Sequence, residues 1–475
     1  MAPIFVKRHD SDGGVGKYTE LYGFVIDQTK DDPYEMVSYI EDNENYTPFS
    51  ADATAGYSGG GTYRFPPVNY GSWENAFFMK VRPCMLNYDG TVDYYLNPND
   101  YTKKSNGISC FTDLTNANYP GNVMVEFPKI YWKINYDEAS DKITVYVCDG
   151  KKDKDFVCWS HIDEHGKEID YCYMSAYLGT KVKNPNTGLE ELKSYSRVMP
   201  TDIGTFENAM QCALNNNRNG EHIWNICLYC DLVLLQILMV LISKNLNSQS
   251  VFGYGRITAS NSSNKNSLLD SNGRICDTQG MFAPGYYYAT WAKAGLMKAF
   301  GIENVYGMGW KFIAGIMYDG TIAADKNGFR PVRIKWTYGT SDGSYEKGYS
   351  SFDAGIPYYI VNADEFGGSS SVIGKMTADT KYGFFPKERY KGYEYLKEAL
   401  IKGYCDTYLV PNSSNINEKM YFVNNNIGYS EGYNYALESY KAVGPCVGVF
   451  SGGFMKNRMA FNVYVSGLSC KPNRK

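Results

Sequence analysis

Histidine is scarce in this chain, at four residues in 475. None stands beside a Ser or Cys in an arrangement that supplies a nucleophile with its base, so no catalytic triad assembles. Nothing in the residues argues for an enzyme. Charge is thin as well: 47 Lys plus Arg against 51 Asp plus Glu give a net −4. That balance, with no basic run of five, leaves no electrostatic footprint for nucleic acid. The 12 cysteines are scattered, which predicts free, buried thiols of a protein folded in a reducing cytosol rather than a disulfide framework. The stretch Met1 to Asp10 lacks the apolar region of a secretory signal. Repeats, heptads and low-complexity stretches are missing too, so a long fibre shaft built by this chain alone is not expected. One long apolar run exists, Ile226 to Ser243, and it carries Asp231 and Gln236. An acidic residue in mid-membrane costs roughly 2.5–3.5 kcal/mol, and the run is at the short end for a span. A core helix, and no membrane insertion, is the expectation.

What the chain has in abundance is tyrosine, 44 residues, within 16% aromatics, together with 47 glycines. So many aromatics exclude disorder, and no Gly-X-Y period suggests collagen. Tyr pairs an apolar ring with a polar tip, which suits binding surfaces and equally suits strands. The tyrosines spread evenly by length, so they do not mark a site. The chain is too long for one ordinary core, and two or more domains follow. Residues 1–190 read as β-rich. Tyr22 to Asp27 and Val123 to Ile134 are strand-like, and Lys142 to Val147 alternates with period two before the turn Asp149-Gly150. Beyond a boundary near residue 190, a helix is predicted through Phe206 to Leu214, with Thr201 or Asp202 as cap and polar Asn215 to Gly220 as stop. The strongest helix signal runs from Trp224 to Leu246. From Gly301 onward, short aromatic strands alternate with Gly-rich turns.

Most chemical motifs dissolve on inspection. Cys227 and Cys230 form a lone pair, whereas structural zinc needs four ligands; a buried helical pair of thiols is the simpler reading. His161 and His165 flank Asp163 and Glu164 without the His-Glu-x-x-His order, which suggests a solvated turn. Gly13 to Tyr18 glances at a phosphate loop, but Ser11 stands where a Gly is required and Tyr18 follows Lys17.

Four stretches carry a resemblance. They are Gly71 to Phe78 with Arg82 to Tyr101; Gly121 to Lys133; Trp224 through Asn247-Ser-Gln249 to Gly255; and Phe300-Gly-Ile-Glu-Asn-Val-Tyr-Gly-Met-Gly-Trp-Lys-Phe-Ile-Ala-Gly315. Along most of its length the chain resembles virion structural proteins of tailed bacteriophages, of the tail-fibre or receptor-binding type. These end in a C-type-lectin-like domain, a fold shared with formylglycine-generating enzymes and retroelement variable proteins. The last stretch is the most specific. Its glycines allow tight turns, Trp310 offers a large core anchor, and Glu303 and Asn304 can satisfy loop backbone. The resemblance implies an α+β chain: a β-rich virion-attachment domain over 1–190, then a C-type-lectin-like domain over 191–475 made of short strands, Gly-rich loops and a few helices.

The family's ligand face corresponds to Phe450 to Ser466. The resemblance therefore places ligand contacts at Phe454, Met455, Lys456, Asn457 and Arg458. Here Met455-Lys456-Asn457 replaces the family's Trp-Asn-Asn, and Ser466-Gly467-Leu468-Ser469 keeps the closing Gly but not the Arg. Alternation across Ala460 to Val465 would also suit a core strand. The redox cysteines of the formylglycine-generating branch are not matched by Cys446 and Cys470, and Asn97-Pro98-Asn99 lacks the Glu of the calcium-binding lectin motif. No cofactor, metal or catalytic residue is expected. The implied function is non-catalytic recognition of a host cell-surface glycan or protein by a virion protein assembled in the bacterial cytoplasm. Its other partners would be virion proteins and copies of itself, with a trimer favoured. The alternative is a purely structural capsid decoration or head-fibre protein.

Overall fold

Period-two alternation builds the first sheet. Lys142–Cys148 pairs antiparallel with Tyr131–Asp137 on one side and with Leu21–Asp27 on the other, and Leu21–Asp27 also pairs with Val37–Glu41. The computed structural model describes the chain between residues 19 and 331, apart from breaks of which the longest are 253–270, 285–296 and 320–327, and again at 446–450 and 464–472. Ile143, Val145 and Val147 are all fully buried, as alternation requires. Tyrosine fills much of this core. Tyr22, Tyr39 and Tyr46 pack edge-on around the fully buried Trp73, with ring centroids 5.3, 5.6 and 5.0 Å away. Such edge-to-face pairs add about 0.5–1.5 kcal/mol each beyond burial. The hydroxyl of Tyr39 donates to Ile242 O at 3.1 Å, tying this sheet to a distant helix.

The second sheet has seven strands, in the spatial order Trp224–Ile226, Leu468–Cys470, Tyr171–Ser175, Gly121–Pro128, Arg82–Asn87, Val92–Asn97 and Asp100–Lys104. Every neighbouring pair is antiparallel. Five strands precede residue 190 and two follow it, so one sheet carries both parts of the chain. The 121–128 strand is buried on both faces: Val123, Val125 and Phe127 join the main core, and Met124 joins a second one. The main core holds the apolar helix Tyr229–Ser243. The second holds the helix Phe206–Leu214 and Leu192 from the hairpin Thr180–Lys183/Glu190–Lys193. With mostly antiparallel strands and few helices among the described residues, the fold is of a β-rich α+β class.

The helix at 206–214 has the extent the sequence predicts. The next one does not. Trp224–Ile226 is a strand, Leu228 is extended (φ −95°, ψ 148°), and the helix begins only at Tyr229. It ends where Lys244 turns left-handed at φ 52°. The cause is non-local: Trp224, Asn225 and Ile226 pair with Cys470, Ser469 and Leu468, and no local pattern reports such a partner. Among the described residues, no helix is long and apolar enough to cross a membrane.

Gly121 shows how tightly the seven-stranded sheet closes. A Cβ there would lie 2.0 Å from Leu86 O, a backbone atom that cannot step aside. Gly121→Ala is expected to lower stability by about 3 kcal/mol, the upper end for overpacking, read as a drop in the urea midpoint. An unchanged midpoint would mean the two strands are further apart than described.

Candidate functional site at the base of the C-terminal segments

Phe454, Met455, Lys456, Asn457 and Arg458, the ligand contacts implied by the resemblance, lie outside the described residues. What is described is the seat from which their segment leaves and to which it returns. Trp310–Asp319 is flanked by Gly328–Pro331 and by Cys446–Phe450, both antiparallel to it. Tyr464–Val465 pairs parallel with Trp310 and Lys311. Residues 332–445 and residues 451–463 therefore start and finish beside one strand.

The turn leading into that strand is held by its backbone. Phe300, Gly301 and Asn304 all have positive φ, at 49°, 80° and 54°. Gly301 is required: a Cβ would meet the Tyr101 hydroxyl at 2.6 Å, and that hydroxyl donates to Gly301 O at 3.0 Å. Glu303 N donates to Ala176 O at 2.9 Å, and a Glu303 carboxylate oxygen accepts from Gly273 N at 2.9 Å. The Glu of this stretch thus satisfies loop backbone.

Beneath the turn lies a buried polar network. Lys298 is opposite Glu303 in a short ladder. Its ammonium donates to Cys276 O at 3.1 Å and sits 3.5 Å from the Tyr101 ring centroid. Burial pulls Lys298 down to about 8. Asp277 accepts from the hydroxyls of Tyr177 and Ser196, and burial pushes it above the usual carboxylate value. Lys311, also buried, donates to Val305 O at 2.7 Å and to Asn304 O, and is pulled down to about 8. The first residues of the 310–319 strand are thus pinned to the turn before it.

The return is pinned as firmly. Lys471 meets Asp231 at 2.5 Å, with side chains 0% and 1% exposed. Burial alone would pull Lys471 down, but the Asp231 carboxylate holds it above the ordinary lysine value. Ser469 donates to the other Asp231 oxygen at 2.7 Å, and Cys227 N donates to Gly467 O at 2.9 Å. Between turn, helix and closing strand lies a cavity of about 40 Å³, whose polar lining includes Asp231, Glu303 and Lys311. That is room for water, not for a substrate. The arrangement is a frame that fixes where these segments leave and return.

The other motifs fall outside this frame or change meaning. Cys227 precedes the helix, Cys230 lies in its first turn, and both are half-buried. Among the described residues no cluster of three or more His, Cys, Asp or Glu could hold a metal. His161 is not in a solvated turn: it is fully buried, with Nε2 3.3 Å from Phe127 O, and burial drives it down to about 3. The Asp231–Lys471 pair was missed because its members are 240 positions apart. One signal was there, an acidic residue inside an apolar run, which calls for a buried partner. Set beside known proteins, the chain matches no protein family and no curated protein.

Proposed function

We propose that this protein is a structural component of a tailed-phage virion that recognises the host surface by binding, without catalysis. The β-rich part, residues 1–190, would attach to the particle. The C-terminal part, residues 191–475, would be lectin-like and would display residues 454–458. The observation that carries this reading is the frame: segments 332–445 and 451–463 both leave and return at one strand, whose start is held by the buried Lys311, while the buried Lys471 holds the closing strand 468–470 that follows. A rigid base under long segments is the arrangement that loop-borne recognition needs. The sheet shared by both parts supports a stiff connection between attachment and display.

Purified protein is expected to bind host cells, and Lys456→Ala with Arg458→Ala to weaken that binding by roughly tenfold or more, the scale of losing charged contacts. Unchanged binding by the double variant would remove residues 454–458 as the site. Antibody against residues 191–475, applied to intact particles, should label the tail. Signal confined to the capsid would replace host recognition with a decoration or head-fibre role.

A further inference from the structure

Strand register gathers a second constellation far from residue 454 in sequence. Arg82 lies opposite Glu126, and Glu126 lies opposite Tyr173. Tyr95 lies opposite Cys84, two residues along from Arg82, and Tyr171 lies opposite Pro128, two along from Glu126. Residues two apart share a face of a sheet, so all five side chains stand on one face. Further along, that face is covered: Cys84, Leu86 and Met124 are buried with the 206–214 helix. At this end the cover stops, and the Arg82 side chain is 47% exposed and Tyr171 44%.

Glu126 is buried, yet it serves a surface arginine. It accepts from Arg82 Nε at 2.8 Å and from Arg82 Nη2, and its other oxygen accepts from the hydroxyls of Tyr95 at 3.0 Å and Tyr173 at 2.9 Å. A buried ion pair adds little net stability. What this one does is fix a plane: the guanidinium carbon sits 4.0 Å from the Tyr95 ring centroid and 5.8 Å from that of Tyr171. Among the described residues, neither Arg82 Nη1 nor the Tyr171 hydroxyl makes a hydrogen bond. Asp170, one residue before Tyr171, is 70% exposed and pairs with Lys129 at 3.0 Å; by the same alternation it belongs to the other face.

We propose that Tyr171 and Arg82 form a saccharide-binding site. The C–H face of one pyranose ring stacks on Tyr171, and its hydroxyls meet Arg82 Nη1. One exposed ring beside a guanidinium held in a fixed plane matches one sugar. A protein partner would instead need an apolar patch many times larger. A simple anion is disfavoured because Glu126 already neutralises Arg82. This site goes beyond the display of residues 454–458 and does not rest on it.

The test uses the full-length protein and saturation-transfer NMR with the methyl glycosides of glucose, galactose, mannose and N-acetylglucosamine. At least one is expected to bind, with Kd on the order of 1–10 mM. Tyr171→Ala should weaken it roughly tenfold, in line with one aromatic contact, while Tyr171→Trp keeps it and Arg82→Lys weakens it. No transfer from any of the four overturns the site. So does equal binding by Tyr171→Ala, or capture of host protein through Tyr171 without any sugar signal. Failure here leaves host binding through Lys456 and Arg458 untouched, because neither variant set shares a residue with the other.

Discussion

Asp231→Ala is expected to destabilise the protein by about 3–5 kcal/mol, the cost of leaving one member of a buried ion pair behind. Lys471 is 0% exposed, and no other carboxylate among the described residues lies within ion-pair distance of it. Without Asp231 the ammonium must either shed its proton or draw water into the core, and Ser469 loses its acceptor as well. The damage falls on the strand that closes the sheet between Trp224–Ile226 and Tyr171–Ser175. Trp224 is fully buried and opposite Cys470, so it contributes, with the chain's six other tryptophans, to the fluorescence change that follows urea unfolding. The double variant Asp231→Leu with Lys471→Met removes both charges and should recover most of the loss, because well-packed apolar replacements for such pairs are often neutral or better. A single-variant cost below about 1 kcal/mol, the scale of a surface pair, would mean that the pair is solvated and does not lock the strand.

That lock also marks the limit of what local sequence reports. Alternation at 142–148 and the polar stop after Leu214 are properties of neighbouring residues, and both elements appear where those signals place them. Trp224 to Ile226 looked helical because an apolar run without clear periodicity fits either state. Its strand state is decided by residues 468–470. His161 looked solvated because Asp163, Glu164 and His165 surround it in sequence, but its ring packs against the carbonyl of Phe127, 34 positions away. The tyrosine excess was ambiguous in composition. The structure spends a good part of it on buried rings whose hydroxyls find distant partners: Tyr39 on Ile242, Tyr101 on Gly301, Tyr177 on Asp277. Glu303 was legible as a backbone partner because short strands between glycines leave amides to satisfy. The constellation at Arg82 and Tyr171 was not legible, because it exists only through the register of four strands.

Stability is expected to rise from pH 7 to about pH 9 and then fall, an unusual profile set by buried lysines and thiols. Burial pulls Lys193 down to about 7, and Lys298 and Lys311 to about 8, from 10.5. Lys193 has no carboxylate in ion-pair contact among the described residues; its ammonium donates to Tyr88, Tyr119 O and Gly121 O. A lysine whose folded value is depressed holds fewer protons folded than unfolded between that value and 10.5. Raising the pH through this window therefore removes a penalty on folding, by about 1 kcal/mol per pH unit for each group. Lys471 works the other way: its folded value is raised, so its contribution is complete below 10.5 and is lost only at higher pH. The fall above about pH 9 comes from six thiols, which outweigh the three lysines: burial pushes Cys110 and Cys212 from 9.0 up to about 11, and Cys148, Cys158, Cys172 and Cys227 up to about 12. Their thiols ionise in the unfolded chain first and favour it. On the acid side, His161 is neutral when folded down to about 3, so stability is lost as pH drops below 6.5. Urea midpoints between pH 5 and 10, at constant ionic strength and under reductant, test all three limbs. In Lys311→Met the rise between pH 8 and 9 should shrink by about a third, since one of three linked protons is gone. A midpoint that is flat or falling from pH 7 to 9 would show that these lysines keep their protons in the folded core, and so that water reaches the base on which the C-terminal segments stand.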